Sequence, residues 1–266
     1  MPPIFGIKHP AYLEAISLLK TSARETERRY LVETDNFVGQ ALSSSSPVSA
    51  VFALSSIAET FAEACEKREI PLYTMGAGLI QKIVGTGYET SVASIAIVGQ
   101  KRITQRELIA RVGKEGLVLA CETIQDPRNV GVLVRTAEAA GCTGLLLSED
   151  SAEAYSRAAV RSSTGSILRL PLCITPDFPA ALGSLKGSGM KVIATSAKAK
   201  TLAYHADLRF RPLALCVGNE TSGMTEAARE VATEFISLPM APEGASSLNV
   251  TVAAGVLLYE AVRQRL

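Results

Sequence analysis

Two stretches in the last quarter of the chain restrict the fold more than any other feature. The apolar run Leu213–Val217 meets the turn Gly218-Asn219-Glu220. An apolar run ended by such a turn marks a buried strand that delivers a loop at its carboxyl end. A second short strand, residues 234–238, leads into Pro239-Met240 and another Gly-containing loop. Ser246 or Ser247 is then placed to cap a last helix whose apolar positions include Val252, Val256 and Leu257. Two strand ends and one helix N-terminus therefore converge, and open α/β sheets bind ligands in such crevices.

Upstream, strand-like and helix-like patterns alternate. Residues 11–30 read as one amphipathic helix, with Arg24, Arg28 and Arg29 on a helix surface or an outward-facing edge open to an anionic partner. Strands are expected at 30–33, 48–54, 70–73 and 92–98, and helices at 37–42, 57–68 and 75–84. The alternation predicts a three-layer unit with a mostly parallel sheet. The charged segment 99–114 is expected to hold a domain junction, giving domains 1–112 and 113–266. After the turn Gly113-Lys114-Glu115-Gly116, Leu117–Cys121 is the first strand of the second domain. Asp126-Pro127-Arg128-Asn129 breaks that strand and starts a helix. Further strands are expected at 145–147, 167–170 and 191–195, and a helix at 178–185.

Composition narrows the class. Nearly half of the 266 residues are hydrophobic, enough for a sizeable core. No run approaches the roughly 18 apolar residues of a membrane span, and Met1-Pro2-Pro3-Ile4-Phe5 lacks the layout of a signal peptide. Cys65, Cys121, Cys142, Cys173 and Cys216 form no C-x-x-C pair and mostly lie in apolar stretches, so buried, reduced thiols and a cytoplasmic location are expected. The net charge of +1 does not advertise a nucleic-acid binder. Charge is patchy, however: Lys101, Arg102, Arg106, Arg111 and Lys114 make one basic region, and Arg157, Arg161 and Arg169 another. No dinucleotide fingerprint or P-loop sits at a strand-to-helix turn, and no metal-ligand or acyl-enzyme motif occurs. His9 and His205 lie in ordinary stretches.

Four motifs, in this order and spacing, resemble those of the SpoU/TrmH family of RNA ribose 2′-O-methyltransferases. They are Asn129-x-Gly131-x-x-x-Arg135, Gly218-Asn219-Glu220-Thr221-Ser222-Gly223, Leu238-Pro239-Met240 and Ser247-Leu248-Asn249-Val250. The resemblance implies an α/β fold with a C-terminal trefoil-knotted SPOUT methyltransferase domain. It also implies a smaller N-terminal α/β/α, ribosomal-protein-like domain that binds substrate. There Glu33 is kept but Thr34-Asp35 follows it, and Glu89-Thr90-Ser91 stands where the family has Pro-Gln-Gly.

The same resemblance implies S-adenosylmethionine as cofactor, RNA as substrate (ribosomal RNA first, transfer RNA second) and a homodimer, while the absence of a long apolar run and of a metal-ligand motif leads to the expectation of no membrane and no metal. Thr195, Gly218, Asn219, Leu238, Met240, Ser247 and Leu248 are its cofactor-binding candidates. Asn129, Arg135, Glu220 and Asn249 are the catalytic ones. Arginine stays protonated in proteins, so Arg135 is expected to bind phosphate and stabilise a developing oxyanion rather than take a proton. Asn129 and Asn249 would orient groups, and Glu220 would position Arg135 or Asn129. In Arg161-Ser162-Ser163-Thr164-Gly165, the arginine and hydroxyls can hold RNA phosphate or simply make a turn. A non-catalytic RNA-binding module and a small-molecule enzyme using the same cofactor are the alternatives.

Overall fold

A computed structural model describes every residue except Phe5, residues 86–91 and Ser246. Two features of the sequence reading, a Ser246 cap and the Glu89-Thr90-Ser91 stretch, lie outside the described residues. The chain divides into two compact units, Met1–Lys101 with Tyr155–Arg169, and Arg102–Ala154 with Leu170–Leu266.

The first unit runs β1 (Pro3–Ile4), α1 (Pro10–Ser17), α2 (Thr21–Glu27), β2 (Arg29–Glu33), α3 (Asp35–Ser43), β3 (Val48–Ala53), α4 (Glu59–Lys67), β4 (Leu72–Met75), α5 (Ala77–Val84) and β5 (Ser94–Gly99). Its sheet has the order β1-β4-β3-β5-β2. β1, β4 and β3 are parallel, whereas β5 runs against both β3 and β2. The reversal was not legible because Ile95, Ile97 and their neighbours are buried on both faces, and a fully buried strand reads the same in either direction.

The helix expected over 11–30 is two. Arg24 explains the break: its guanidinium is buried and donates to the Leu18 carbonyl at 2.7 Å and to Thr21 Oγ1 at 3.0 Å. It thus satisfies the end of α1 and is not an outward-facing edge. Arg29 is paired with Glu14 and Glu27.

The second unit begins with α6 (Gln105–Val112), inside the charged segment 99–114. Thr104 and Glu107 form a reciprocal capping box at its start, and Leu108 and Val112 pack into the core beside Val118, Leu146 and Leu182. There follow β6 (Leu117–Cys121), α7 (Pro127–Ala139) and β7 (Gly144–Ser148). α8 (Arg157–Ser162) and the 3-10 turn Ser166–Leu168 fold with the first unit. That turn replaces the strand expected at 167–170. Residues then return to the second unit as β8 (Leu172–Thr175), α9 (Phe178–Gly187), β9 (Lys191–Thr195), β10 (Thr201–Leu202), β11 (Leu213–Val217), α10 (Glu226–Val231), β12 (Glu234–Ser237) and α11 (Val250–Arg265).

These seven strands form one sheet, in the order β10-β12-β9-β11-β6-β7-β8, and every pairing is parallel. β6, β7 and β8 progress toward one edge, and the later strands lie on the other side of β6. This is the reversal at which open parallel sheets place their ligand crevices. Loops leave the carboxyl ends of β6, β9, β11 and β12 on that side.

Candidate active site

β11 is buried from Leu213 to Val217 and hands the chain to a tight loop. Asn219 and Gly223 face each other across it, with N–H to carbonyl distances of 3.1 and 3.0 Å. Gly223 adopts φ +71°, a region that favours glycine. A Cβ on Gly218 would lie 2.5 Å from the Gly223 carbonyl carbon and the Met224 nitrogen. Gly218 is therefore required by the loop's own backbone, whatever ligand lies nearby. Asn219 is the clamp of this loop: its Oδ1 accepts from the Thr221 and Ser222 amides at 2.9 and 3.0 Å and from the Ser222 hydroxyl. Its Nδ2 donates to the Thr123 carbonyl at 3.0 Å.

The loop after β6 is built to meet it. Thr123 sits at φ +55°, strained for a β-branched residue. Its amide donates to Ser148 Oγ at 2.8 Å and its hydroxyl to Asp150 at 2.9 Å, while its carbonyl takes the Asn219 bond. Glu122 is buried and accepts from the amide and hydroxyl of Thr225, at 2.9 and 2.7 Å, which fixes the exit of the β11 loop where Thr225 caps α10. Neither Glu122 nor Thr123 was a sequence candidate, and no local pattern marks them, since their partners lie far along the chain.

α7 starts at Asp126, whose side chain accepts from the Arg128 amide, and Pro127 occupies the first helical position. The Arg128 guanidinium and amide hold the Asp126 carboxyl below its usual range. Asn129 is thus inside the first turn, not at the cap. Its Nδ2 donates to Glu220 Oε1 at 2.5 Å, and its Oδ1 accepts from Asn249 Nδ2 at 3.5 Å. Asn249 is the cap of α11, accepting from the amide and hydroxyl of Thr251 at 2.8 and 2.6 Å. Ser247 lies before it, outside the helix. Three catalytic candidates, from the first turn of α7, the loop after β11 and the cap of α11, thus form one hydrogen-bonded chain with Asn129 at its centre. Arg135 stands about 9 Å further along the α7 axis. It is exposed and has no hydrogen-bond or ion-pair partner among the described residues.

A cavity of about 860 Å³ opens between the loops after β9, β11 and β12, within the usual size of small-molecule sites. All seven cofactor-binding candidates line it: Thr195, Gly218, Asn219, Leu238, Met240, Ser247 and Leu248. Glu220 lines it too, so the Glu220–Asn129–Asn249 chain stands at its edge. Val217, Ile236 and Leu257 complete an apolar wall. The combination of apolar side chains with main-chain groups of three loops fits a purine nucleoside.

Arg161, Ser162 and Ser163 belong to the first unit. Ser163 is buried and donates to the Val160 carbonyl at 2.7 Å, while Arg161 lies in the last turn of α8. Gly165, at φ +92°, faces the Gln40 side chain. Also within this unit, Arg157 pairs with the buried Glu33 carboxylate at 2.6 and 3.0 Å.

Comparison with known proteins identifies the family. The model of the SpoU rRNA methylase family matches residues 116–259. A 23S rRNA (guanosine-2′-O-)-methyltransferase, RlmB, of Pseudomonas putida is 32% identical over 200 residues, 75% of this chain and 76% of that protein. The AdoMet-bound rRNA methyltransferase of Sinorhizobium meliloti superposes with a TM-score of 0.87 at 23% identity, covering 99% of this chain and 98% of the other, and shows a shared fold. The SpoU methyltransferase AviRb of Streptomyces viridochromogenes, in complex with AdoMet, gives a TM-score of 0.82 at 26% identity over 97% of this chain and 98% of its own. The family model covers more than half of the chain, and the span includes the loops that carry the motifs and line the cavity, so the chain belongs to the SpoU rRNA methylase family.

Proposed function

We propose that this protein transfers a methyl group from S-adenosylmethionine to a ribose 2′-hydroxyl of RNA, with ribosomal RNA as the substrate. The observation that carries the proposal is the Glu220–Asn129–Asn249 chain standing at the mouth of a nucleoside-sized cavity. When bound, the cofactor supplies an electrophilic methyl carbon. Leu238, Met240, Leu248 and Ile236 provide the apolar slot, and the backbone after Val217 provides donors and acceptors.

The protein's remaining task is to hold a 2′-hydroxyl in line, a positioning effect that can supply ~7–11 kcal/mol. Asn129 is fixed from both sides, by Glu220 and by Asn249, so its amide is oriented before substrate arrives. Arg135, an exposed cation on the same helix, is suited to an RNA phosphate and to charge developing on the 2′-oxygen. Arg161 and Ser162 are further RNA candidates, and the first unit is the substrate-binding part in this reading.

A homodimer goes with it: Val252 and Tyr259 are each about half exposed and lie seven residues apart on one face of α11, an apolar surface suited to a second copy. The knotted path implied by the resemblance belongs to the same reading. It draws support from α11 packing back on α7, where Gly255 approaches Thr136.

The test is transfer of tritiated methyl from labelled cofactor into undermodified total RNA, with alkali-resistant dinucleotides mapped to the site. Label in the wild type that is lost in Arg135→Ala is expected. Label confined to transfer RNA would correct the substrate, and absence of both label and cofactor binding would overturn the enzyme.

A further inference from the structure

The cavity has charged walls that the nucleoside reading does not use. Besides Glu220, which Asn129 engages, Glu226 and Arg229 of α10 line it. Arg229 is held in place: its guanidinium lies over the Phe235 ring, 4.9 Å from the centroid, and its Nε is 3.4 Å from Glu226 Oε2. The latter distance is an ion pair but too long for a strong hydrogen bond. Arg229 has no other partner among the described residues. The pair thus presents one preset cation and one carboxylate side by side, each with donor or acceptor capacity remaining.

The cofactor's tail is an amino acid and carries the same two charges in the opposite sense. An arginine fork matches a carboxylate with two parallel bonds, and a carboxylate accepts from an ammonium. A site offering both signs takes a zwitterion without burying net charge. We infer that Arg229 and Glu226 form the subsite for the cofactor's amino-acid tail, Arg229 taking the α-carboxylate and Glu226 the α-ammonium. The inference rests on the cofactor reading above and adds to it the residues that would distinguish the cofactor from tail-less nucleosides.

The test is calorimetric binding of three nucleosides to the wild type, Arg229→Gln and Glu226→Gln. S-adenosylhomocysteine carries both tail charges, decarboxylated S-adenosylmethionine only the ammonium, and 5′-methylthioadenosine neither. Arg229→Gln should weaken S-adenosylhomocysteine about tenfold, the size of one charged hydrogen bond, and leave the other two ligands unchanged. Glu226→Gln should weaken S-adenosylhomocysteine and the decarboxylated cofactor but not 5′-methylthioadenosine. Equal losses for all three ligands would show a general distortion of the cavity and overturn the subsite, as would unchanged S-adenosylhomocysteine affinity in both variants. A wild type that binds none of the three would instead sink the cofactor reading itself.

Discussion

Asn129 has donor and acceptor on one side chain, and both are in use. Exchanging it for aspartate keeps the shape but replaces the donor with a second carboxylate facing Glu220, where only 2.5 Å now separates the partners. Asn129→Asp is expected to lower the rate of methyl transfer by about a hundredfold, the effect of losing one preorganised contact. Cofactor affinity should stay within about twofold, since Asn129 does not line the cavity. Single-turnover kinetics beside calorimetry checks the split. Gly218 behaves in the opposite way. Gly218→Ala places a methyl against the backbone of residues 223 and 224, so the loop must shift, and both cofactor affinity and stability should fall, the latter by about 1–3 kcal/mol in urea unfolding. The sequence made Gly218 and Asn219 visible as cavity residues, but not the second task each performs within the loop. Residue types and spacing point to a loop, whereas the contacts that demand a glycine and a clamping asparagine are made by the loop with itself and with Thr123. Arg135 was marked only by its motif, and six residues of helix set it about 9 Å beyond Asn129 along α7.

Elements buried on both faces were the most legible. β6, β9 and β11 were marked by continuous apolar runs bounded by turns, and the fold uses them at those bounds. α6 was hidden for the converse reason: its apolar stripe is narrow, with Leu108 and Val112 the buried positions, so its composition reads as linker. The capping box of Thr104 and Glu107 was present in the sequence and was the missed signal. The α11 cap shows how close the alternatives lie, since serine and asparagine cap equally well and only the geometry chooses Asn249 over Ser247. Asn249→Ala should cost about 1 kcal/mol, visible as a modest fall in Tm. It should also slow methyl transfer, because the same side chain steadies Asn129. Asn249→Ser should restore stability without restoring the rate.

For the whole molecule, titration follows burial and pairing. All five cysteines are buried, and burial pushes the thiol of Cys142 up to about 12 and that of Cys173 up to about 11. A thiol-reactive dye at pH 8 should therefore label the native protein slowly, and all five positions at once in denaturant. In α11, hydrogen bonds from Arg263 and Gln264 hold the Glu260 carboxyl down to about 2. Its folded value lies below its unfolded one. The associated stability is therefore complete above the usual carboxylate range and is lost as pH falls toward about 2. Glu260→Gln should flatten that limb of a urea-midpoint profile and leave neutral pH less affected.

The chain passes from one unit to the other at residue 101, again at 154 and a third time at 169. The family match, running from 116 to 259, is continuous across the last two passages. Heredity and folding thus partition the same polymer differently. A gene fragment encoding residues 102–266 would carry every motif, yet orphan the stretch whose Tyr155 ring lies against Tyr30 and whose Leu168 carbonyl accepts from Ser46. Such a fragment should bind apolar dyes and aggregate. For this protein, the modular unit of inheritance is not a unit that can be cut out and expected to stand alone.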